Sequence, residues 1–573
     1  MKHTVRPGLK LALTLLFILA VYFQAIHNPF SRFDDPFIVE HYGINSKISF
    51  LDVITPGGGF YYRPIVNLSY WLDSRLWSMD STFMHLENVS LHLVNVFLVF
   101  LIASLLPSSS KNKSLPYICA LLFGLHPINS ESVYWVAGRT DIFAGVFVLL
   151  AFYCLIVAIS GQSSRYAVLA FVVAFVGTLA KETAIMFIPT ALLVVFYWPV
   201  ASGDIALYKK WRKRFLLMPI AVSSCFAMVI MVVLYVKGHG NNAISLLFES
   251  GANILIRSLE AFGFYVKKLF LPIPLNVATV EINSLYAIFG IVALCALLVI
   301  VRYTGFSGIV LATAGLFILP ALVVATTSIT WTPFGERYLY IPSAFAVIGS
   351  TELLHRFLVR RNSVLWFLPI VSIIVISAAV ITFQRGMLWR DNLAMIEDIV
   401  AKSPNFGVAR NEYGILLKQA GRYGEATNQF TIAAAQKNRE NVNRMIRLNI
   451  ISMKFIGKQQ DEVRKILLAE IGNKAEGDVE LLKLLNIYDE SLLLRTSSVK
   501  NKQLIVADII ETNDSLFLKT RDPHYLYRSG QSALSVGNNK QAASFFKRAW
   551  ENAGPDAYYR EPARLLAEKL GTK

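Results

Sequence analysis

Two adjacent carboxylates are the first residues of this sequence whose type and position suggest chemistry. Asp34 and Asp35 follow directly after an apolar run, in the string FDDPFIVEHYGI. A carboxylate at the end of a membrane helix could act as a general base over a substrate held in the bilayer. Two solvated aspartates at that place would cost little. The residues alone therefore leave a catalytic and an inert interpretation equally open.

More polar groups border or interrupt the later apolar runs. The spacing of His85, Asn88, His92 and Asn95 places all four on one helical face. The other candidates are Arg63 in YYRP, His126, Glu131, Arg139 and Asp141 in HPINSESVYWVAGRTD, the pair Lys181 and Glu182, and the run Glu336, Arg337 and Tyr338. Ionisable groups in a membrane segment are costly and usually face a site or a partner helix. An ion pair that orients two helices would also explain each charged pair.

The elements that must position these residues are membrane helices. Mean hydropathy is +0.49, and charged residues make up 16% of the chain, whereas a soluble protein carries about 25%. Apolar runs that approach the roughly 17–25 residues needed to cross a bilayer recur up to residue 383. We count about eleven spans, near 9–26, 84–106, 115–131, 141–159, 165–180, 184–198, 215–236, 286–301, 307–327, 338–350 and 364–383.

The predicted fold is all-α, with two domains. Residues 1–383 form a multispanning helical membrane domain with a large loop at 27–82, and residues 384–573 form a soluble helical domain. The first run, 9–26, has the basic residues of a signal peptide ahead of it but no convincing cleavage site, so we interpret it as a retained span.

The distribution of Lys and Arg predicts the orientation. With the N-terminus in the cytoplasm, every cytoplasmic loop carries net positive charge, including 107–114, 199–214 and 351–363. The opposite loops, which hold the polar groups described above, are close to neutral together. An odd number of spans then leaves the C-terminal domain outside, in a periplasm or a lumen. The candidate residues therefore gather at one face of an inner, plasma or endoplasmic reticulum membrane.

The C-terminal domain shows the spacing of a tetratricopeptide repeat. Gly414, Leu417, Gly421, Ala426, Phe430 and Ala433 return 116 positions later as Gly530, Ala533, Gly537, Ala542, Phe546 and Ala549. Small residues at these positions let two antiparallel helices approach closely. Such repeats bind peptides or partner proteins on a concave face, or act as a rigid spacer.

Several function classes fit the sequence poorly. The net charge of +17 is spread over short loops without a basic, aromatic stripe, which argues against nucleic-acid binding. All four cysteines lie in apolar segments without metal or redox spacing, so we interpret them as buried apolar residues. A channel would scatter polar residues through the depth of several spans, and a transporter would repeat its membrane half. A polar pocket at one face suits an enzyme instead.

In combination, six blocks resemble the transmembrane and tetratricopeptide-repeat O-mannosyltransferase family. They are YYRPI at 61–65, HLENVSLHLVN at 85–95, HPINSESVYWVAGRTD at 126–141, KETA at 181–184, FGFYVKKLFLPIPLNV at 262–277 and GERYLYIPS at 335–343. The family belongs to the multispanning GT-C glycosyltransferases that use polyprenyl-phosphate sugars. This chain departs from it in a short and irregular repeat region, which bears on the acceptor more than on the chemistry.

The resemblance implies a role for each candidate. One of Asp34 and Asp35 would deprotonate an acceptor hydroxyl, which would then attack the sugar with inversion. Arg337 and Arg139, and after them Arg63 and Lys181, would bind the donor phosphate. His85, Glu131, His126, Asp141, Glu182, Glu336 and Tyr338 would position sugar or acceptor. No cofactor is required; a divalent ion at Asp34 stays an open alternative, although no metal-ligand spacing demands one.

The expected function is transfer of a hexose, such as mannose, from a polyprenyl-phosphate donor to a hydroxyl, on protein in the first instance. One alternative is the same chemistry on a lipid or polysaccharide acceptor. The other, from a different class, is a non-catalytic membrane scaffold that recruits partners through its repeats.

The predicted orientation can be tested with a reporter fused after Lys573 that is active only in the cytoplasm. We expect no signal, because the charge bias of the loops places the C-terminus outside. The same reporter fused in the basic loop 107–114 should be active. A bright C-terminal fusion would reverse the orientation and move the candidate site to the other face.

Overall fold

In the structure, a computed structural model, residues 7–571 are described except 44–45, 47, 56–61, 162, 203–222, 231–252, 328–329, 457, 459 and 555–556. The Gly57–Gly59 run, the basic cluster at 209–214 and most of the predicted span 215–236 fall outside the described residues. Every regular element among those described is helical, which confirms the all-α class.

The described chain forms two compact units, residues 1–413 and 414–573. The first unit contains the apolar helices and also residues 384–413, which composition alone groups with the C-terminal domain. Its helices are α1 Pro7–Tyr22, α2 Asp35–Tyr42, α3 Phe50–Ile54, α4 Pro64–Leu76, α5 Ser81–Ser104, α6 Leu115–Gly124, α7 Ser130–Tyr134, α8 Arg139–Gly161, α9 Ser164–Ala180, α10 Phe187–Ser202, α11 Asn253–Phe270, α12 Tyr286–Thr304, α13 Phe306–Thr326, α14 Tyr340–Arg360, α15 Phe367–Trp389 and α16 Asn392–Lys402.

Six helical segments among the described residues are long and apolar enough to span a bilayer, so the protein is an integral membrane protein. They are Pro7–His27, Ser81–Ser104, Val136–Ser160, Tyr286–Thr304, Phe306–Thr326 and Val364–Trp389. Three shorter apolar helices cover Leu115–Gly124, Ser164–Ala180 and Glu182–Tyr197. The predicted span at 338–350 largely coincides with the first half of α14. The first ten residues of this helix, 340–349, are buried inside the unit. The total of about eleven spans stays a prediction.

Membrane helices that follow one another along the chain pack together, as α5 does against α6 and α14 against α13, and α5 also packs against α8. The crossing of α11 and α12 is especially close. A Cβ built on Gly263 would lie 2.1 Å from the carbonyl oxygen of Tyr286, and one on Gly290 would lie 2.2 Å from that of Leu259. Only glycine at both positions permits this approach. The outer side of α12 is exposed, as expected of a helix that faces lipid.

The described parts of the loop between the first two spans fold onto the membrane helices. Tyr42, Val53, Val66 and Tyr70 of α2, α3 and α4 form a buried cluster with Met84, Val136 and Ala180, which lie in or beside the ends of α5, α8 and α9. Burial of these apolar side chains stabilises the loop at about 25 cal/mol per Å². The loop therefore holds Asp34 and Arg63 against the ends of the spans.

The second unit is a series of helices, most of which pack against the next helix along the chain. After α17 Gly407–Gln419, in which the boundary between the units falls, come α18 Tyr423–Ala434, α19 Glu440–Met453, α20 Gln460–Ile471, α21 Val479–Arg495, α22 Val499–Thr520, α23 His524–Ser535, α24 Asn539–Asn552 and α25 Arg560–Gly571. The ring of Phe430 lies where a Cβ on Gly414 would stand, and Phe546 does the same at Gly530. Both predicted helix pairs are present, while their assignment as tetratricopeptide repeats stays a prediction.

Candidate active site

The acidic pair lies between the end of the first apolar segment and α2. Asp34 is the residue before the helix, and Asp35 is its first residue. The two carboxylates have different surroundings. Asp35 is fully buried: its Oδ2 accepts a hydrogen bond from the Ser31 N–H at 2.8 Å, and its Oδ1 accepts one from the Ala137 N–H at 3.1 Å. Residues 28–34, which lead into α2, are called the acidic loop here. Asp35 connects this loop to the segment that precedes α8.

Burial raises the pKa of Asp35 to about 7, although both N–H groups favour the charged form. The pKa of Asp34 is also raised, mainly by burial, and the positive charges of Arg337 and Arg63 oppose this shift. Asp34 therefore lies within electrostatic reach of two arginines that come from distant parts of the chain. Its side chain is only partly enclosed. A carboxylate in this setting is suited to accept a proton.

Arg337 is held from several sides. Its Nη1 donates to Oε1 of Glu131 at 2.7 Å, and its backbone N–H donates to the other oxygen of that carboxylate at 3.0 Å. Its Nη2 donates to Thr332 Oγ1 and to the hydroxyl of Tyr338, both at 3.2 Å. The guanidinium also lies over the rings of Trp135 and Tyr338, 5.0 and 4.8 Å from their centroids. The side chain keeps 15% of its surface exposed, so it is fixed but still reachable.

Two more cations lie beside this group, each with its own carboxylate. Arg63 makes a two-pronged contact with Glu182, whose oxygens lie 3.0 Å from its Nη2 and 3.2 Å from its Nε. Lys181 Nζ lies 2.5 Å from Asp141 and 5.6 Å from the ring centroid of Tyr338. Tyr338 therefore contacts both Arg337 and Lys181. The structure brings these predicted residues together around Asp34 and Arg337.

Arg139 is placed differently. Its side chain is completely buried, with its Nη1 2.5 Å from Asp73 and its Nη2 2.9 Å from Glu87. It also donates to Asn88, Ser69 and the carbonyl of Met84. These contacts join α4, α5 and α8. The arrangement is that of a structural cross-link between helices, with no exposed surface to meet a substrate.

Glu336 is also buried. It is paired with Lys268 of α11 and accepts the N–H of Asn276 at 3.0 Å. Glu336 thereby anchors the loop after α11 to the turn that carries Arg337. Burial raises the pKa of Glu336, and Lys268 opposes that shift.

The predicted polar face of α5 is buried within the helix bundle. Asn88 donates to the carbonyl of Trp135, and His92 and Asn95 hydrogen-bond the hydroxyl of Tyr340. His85 is buried on the same face. Asn88, His92 and Asn95 therefore connect α5 to neighbouring parts of the bundle. His126 does likewise: its Nδ1 accepts the Ile128 N–H, so its Nε2 donates to the carbonyl of Leu269.

Sequence patterns reveal Arg139 and Glu336 but not the residues with which they pair. Asp73 and Lys268 were not predicted, although each is as buried as the residue that it pairs with. Both lie in amphipathic helices whose polar residues look solvated in sequence. Among the described residues, no three His, Cys, Asp or Glu side chains gather closely enough to hold a metal ion.

Comparison with known proteins supports the same family as the sequence blocks. A protein O-mannosyl-transferase of Drosophila melanogaster, Tmtc1, is 34% identical over 143 residues, which cover 25% of this chain and 16% of that protein. The chain resembles protein O-mannosyl-transferases. Protein O-mannosyl-transferase F38B6.6 of Caenorhabditis elegans is 25% identical over 135 residues, or 24% of this chain and 19% of that protein. Mouse protein O-mannosyl-transferase TMTC1 is 33% identical over 91 residues, 16% of this chain and 9% of that protein.

These matches confirm the predicted resemblance, and they extend over less than a fifth of the length of each of these relatives. No family model matches the chain. No solved structure matches it either.

The structural role of Arg139 can be tested by the effect of its substitution on the stability of the protein. Arg139→Gln should lower the free energy of unfolding by about 3–5 kcal/mol, because it leaves the buried carboxylate of Asp73 without its cation. Arg302→Gln, at the exposed end of α12, is the control and should change it little. The measurement is thermal unfolding of the purified protein in detergent. An Arg139→Gln protein as stable as the wild type would contradict the structural assignment.

Proposed function

We propose that this protein is a membrane glycosyltransferase that moves a hexose from a polyprenyl-phosphate donor to a hydroxyl group of a protein. Mannose is the first choice of sugar, because the similar proteins are named O-mannosyl-transferases. The observation that carries the proposal is the placement of Asp34: a partly enclosed carboxylate under the influence of Arg337 and Arg63. Such a site holds a base and phosphate-binding cations side by side.

In the proposed reaction Asp34 removes the proton of the acceptor hydroxyl. The hydroxyl oxygen forms a bond to the anomeric carbon as the bond from that carbon to the phosphate oxygen breaks. The phosphate leaves with the bonding electrons, opposite the attacking oxygen, so the configuration inverts. The polyprenyl phosphate is a stable anion and needs no strong general acid. The proton ends on Asp34.

Asp34 is the better choice of base because Asp35 is already occupied. Both oxygens of Asp35 accept backbone N–H groups, and the side chain has no exposed surface. We assign Asp35 to holding the loop in which Asp34 lies. A base must instead reach a substrate hydroxyl within about 2.6–3.2 Å.

Arg337, Arg63 and Lys181 are the proposed phosphate-binding groups. Each is oriented by a carboxylate, respectively Glu131, Glu182 and Asp141. The site therefore has its cations in fixed positions before a donor arrives, which avoids reorganisation during the reaction. Arg139, the other arginine suggested by sequence, takes no part in this proposal because it is enclosed.

We further propose that the site faces the extracytoplasmic side, as the charge bias of the loops indicates, and that the C-terminal helical repeats bind the acceptor protein. Helical repeats of this kind form extended binding surfaces. The proposal includes no metal ion and no cofactor.

The proposal is tested by transfer from a panel of polyprenyl-phosphate sugars, with mass spectrometry of the acceptors. Asp34→Asn should reduce transfer by about 10²–10⁴-fold, the usual contribution of a general base, without loss of thermal stability. Asp35→Asn should lower both sugar transfer and thermal stability, since an amide NH₂ would face one of the two backbone N–H donors. Asp80→Asn is the control: Asp80 caps α5, and asparagine caps equally well.

A folded Asp34→Asn protein with full transfer would rule out this mechanism. A folded wild-type protein that transfers no sugar, and whose cellular role survives Asp34→Asn but not removal of the repeats, would favour a scaffold.

The pH dependence of transfer offers a second test. Arg63 lowers the pKa of Asp34, so Arg63→Gln should raise that pKa and move the acidic limb of kcat/KM to higher pH. The base is then protonated over a wider acidic range. Arg75→Gln should leave the limb in place, because Arg75 stacks on Trp71 in the same loop and is not among the charges that shift Asp34. A limb that stays or moves to lower pH in Arg63→Gln would exclude Asp34 as the titrating base.

A further inference from the structure

A short segment after the last apolar helix contacts the loop of Asp34 and also the loop after α11, which anchors the turn of Arg337. Residues 391–412, which we call the brace, comprise α16 and the first part of α17. They belong to the first unit of the structure. Their composition is that of a soluble domain, so hydropathy gives no sign of a link to the membrane helices.

The first set of contacts reaches the acidic loop. The side-chain amide of Asn392 donates to the carbonyl of Phe30 at 3.0 Å. At the other end of the brace, Glu412 forms an ion pair with Arg32 at 3.4 Å. Phe30 and Arg32 lie four and two residues before Asp34. The brace therefore holds the segment that leads directly to the proposed base.

The second set of contacts reaches the loop after α11. Lys402 donates to the carbonyl of Leu275 at 2.8 Å. The hydroxyl of Ser403 accepts from the side chain of Asn276 at 2.9 Å and donates to the carbonyl of Ala278 at 2.7 Å. The backbone N–H of Asn276 in turn binds Glu336, the neighbour of Arg337.

The brace is itself fixed to the membrane helix before it. Asp398 lies 2.8 Å from Arg385 of α15 and 2.6 Å from Lys402 within α16. Arg385 is nearly enclosed, with 6% of its side chain exposed. α16 thus carries Asn392, which contacts the loop of Asp34, and Lys402, which contacts the loop that anchors the turn of Arg337. Ser403, directly after α16, and Glu412 of α17 add one further contact region to each loop.

We infer that the brace is a positioning element that sets Asp34 relative to Arg337. The inference rests on the proposed function, because it assigns these two residues to proton removal and phosphate binding. Neither loop has regular secondary structure to fix it, so a shared rigid support defines their separation. Within this element, Arg32 and Glu412 are positioning residues that act through the acidic loop.

The pair can be tested by charge reversal. Arg32→Glu and Glu412→Arg should each lower kcat by about tenfold or more, because small displacements of reacting groups have effects of this size or larger. The KM for the lipid donor should change less than kcat, since the phosphate-binding cations are not altered. The double variant restores the ion pair with reversed charges and should recover most of kcat. Arg390→Glu, an exposed cation beside the brace that contacts Met387, should leave kcat unchanged.

Hydrogen exchange of the backbone, followed by mass spectrometry, gives a readout independent of activity. Peptides that cover residues 30–38 should exchange faster in both single variants and return to the wild-type rate in the double variant. If the wild-type protein transfers no sugar, the proposed function fails and the exchange result still decides the role of the pair. Single variants with unchanged exchange, or a double variant no better than either single one, would overturn the inference.

Discussion

The pairing of buried charges is the constraint on which the rest of this structure depends. An isolated charge in a low-dielectric interior is destabilising by several kcal/mol. The described part of the first unit nevertheless encloses at least three ion pairs near the ends of its apolar helices and holds two more that are partly exposed. The partners come from distant parts of the chain, as with Arg139 and Asp73 or Arg337 and Glu131. The helices can therefore pack in this arrangement only if these side chains meet. The same requirement gathers cations around Asp34.

Burial divides the ion pairs by role. Arg139 is completely enclosed and connects three helices, whereas Arg337 is oriented by as many contacts but keeps part of its surface accessible. Chemically the two side chains are identical, and in the sequence each lies near an apolar segment. The same division separates Asp35, whose oxygens both accept backbone N–H groups, from its neighbour Asp34.

Sequence patterns predicted the helical class, most of the apolar helices and the residues that gather near Asp34, because hydropathy and residue type are local properties. The division of roles was not predictable in this way. Arg139 and Arg337 differ through the residues that surround them in three dimensions, and Asp73 and Lys268 look like ordinary solvated charges in amphipathic helices. Residues 391–412 read as part of a soluble domain for the same reason. Their composition is polar, and their attachment to the acidic loop depends on single contacts such as that of Asn392 with Phe30.

The hydrogen bonds of Asp35 have a consequence for which positions of this sequence can be substituted during evolution. Its carboxylate accepts the main-chain N–H groups of Ser31 and Ala137, and the hydroxyl of Ser31 hydrogen-bonds it as well. A main-chain N–H is supplied by every residue except proline. Position 137 can therefore accept many side chains, as far as this contact is concerned. Position 31 also supplies a hydroxyl, and position 35 needs two acceptor oxygens at the same distance from the backbone. Substitutions among homologous chains should accordingly be uneven, with an invariant acid at position 35 and a freely varying residue at position 137. A search for co-varying pairs would miss the contact between positions 35 and 137, although it fixes the loop of the proposed base.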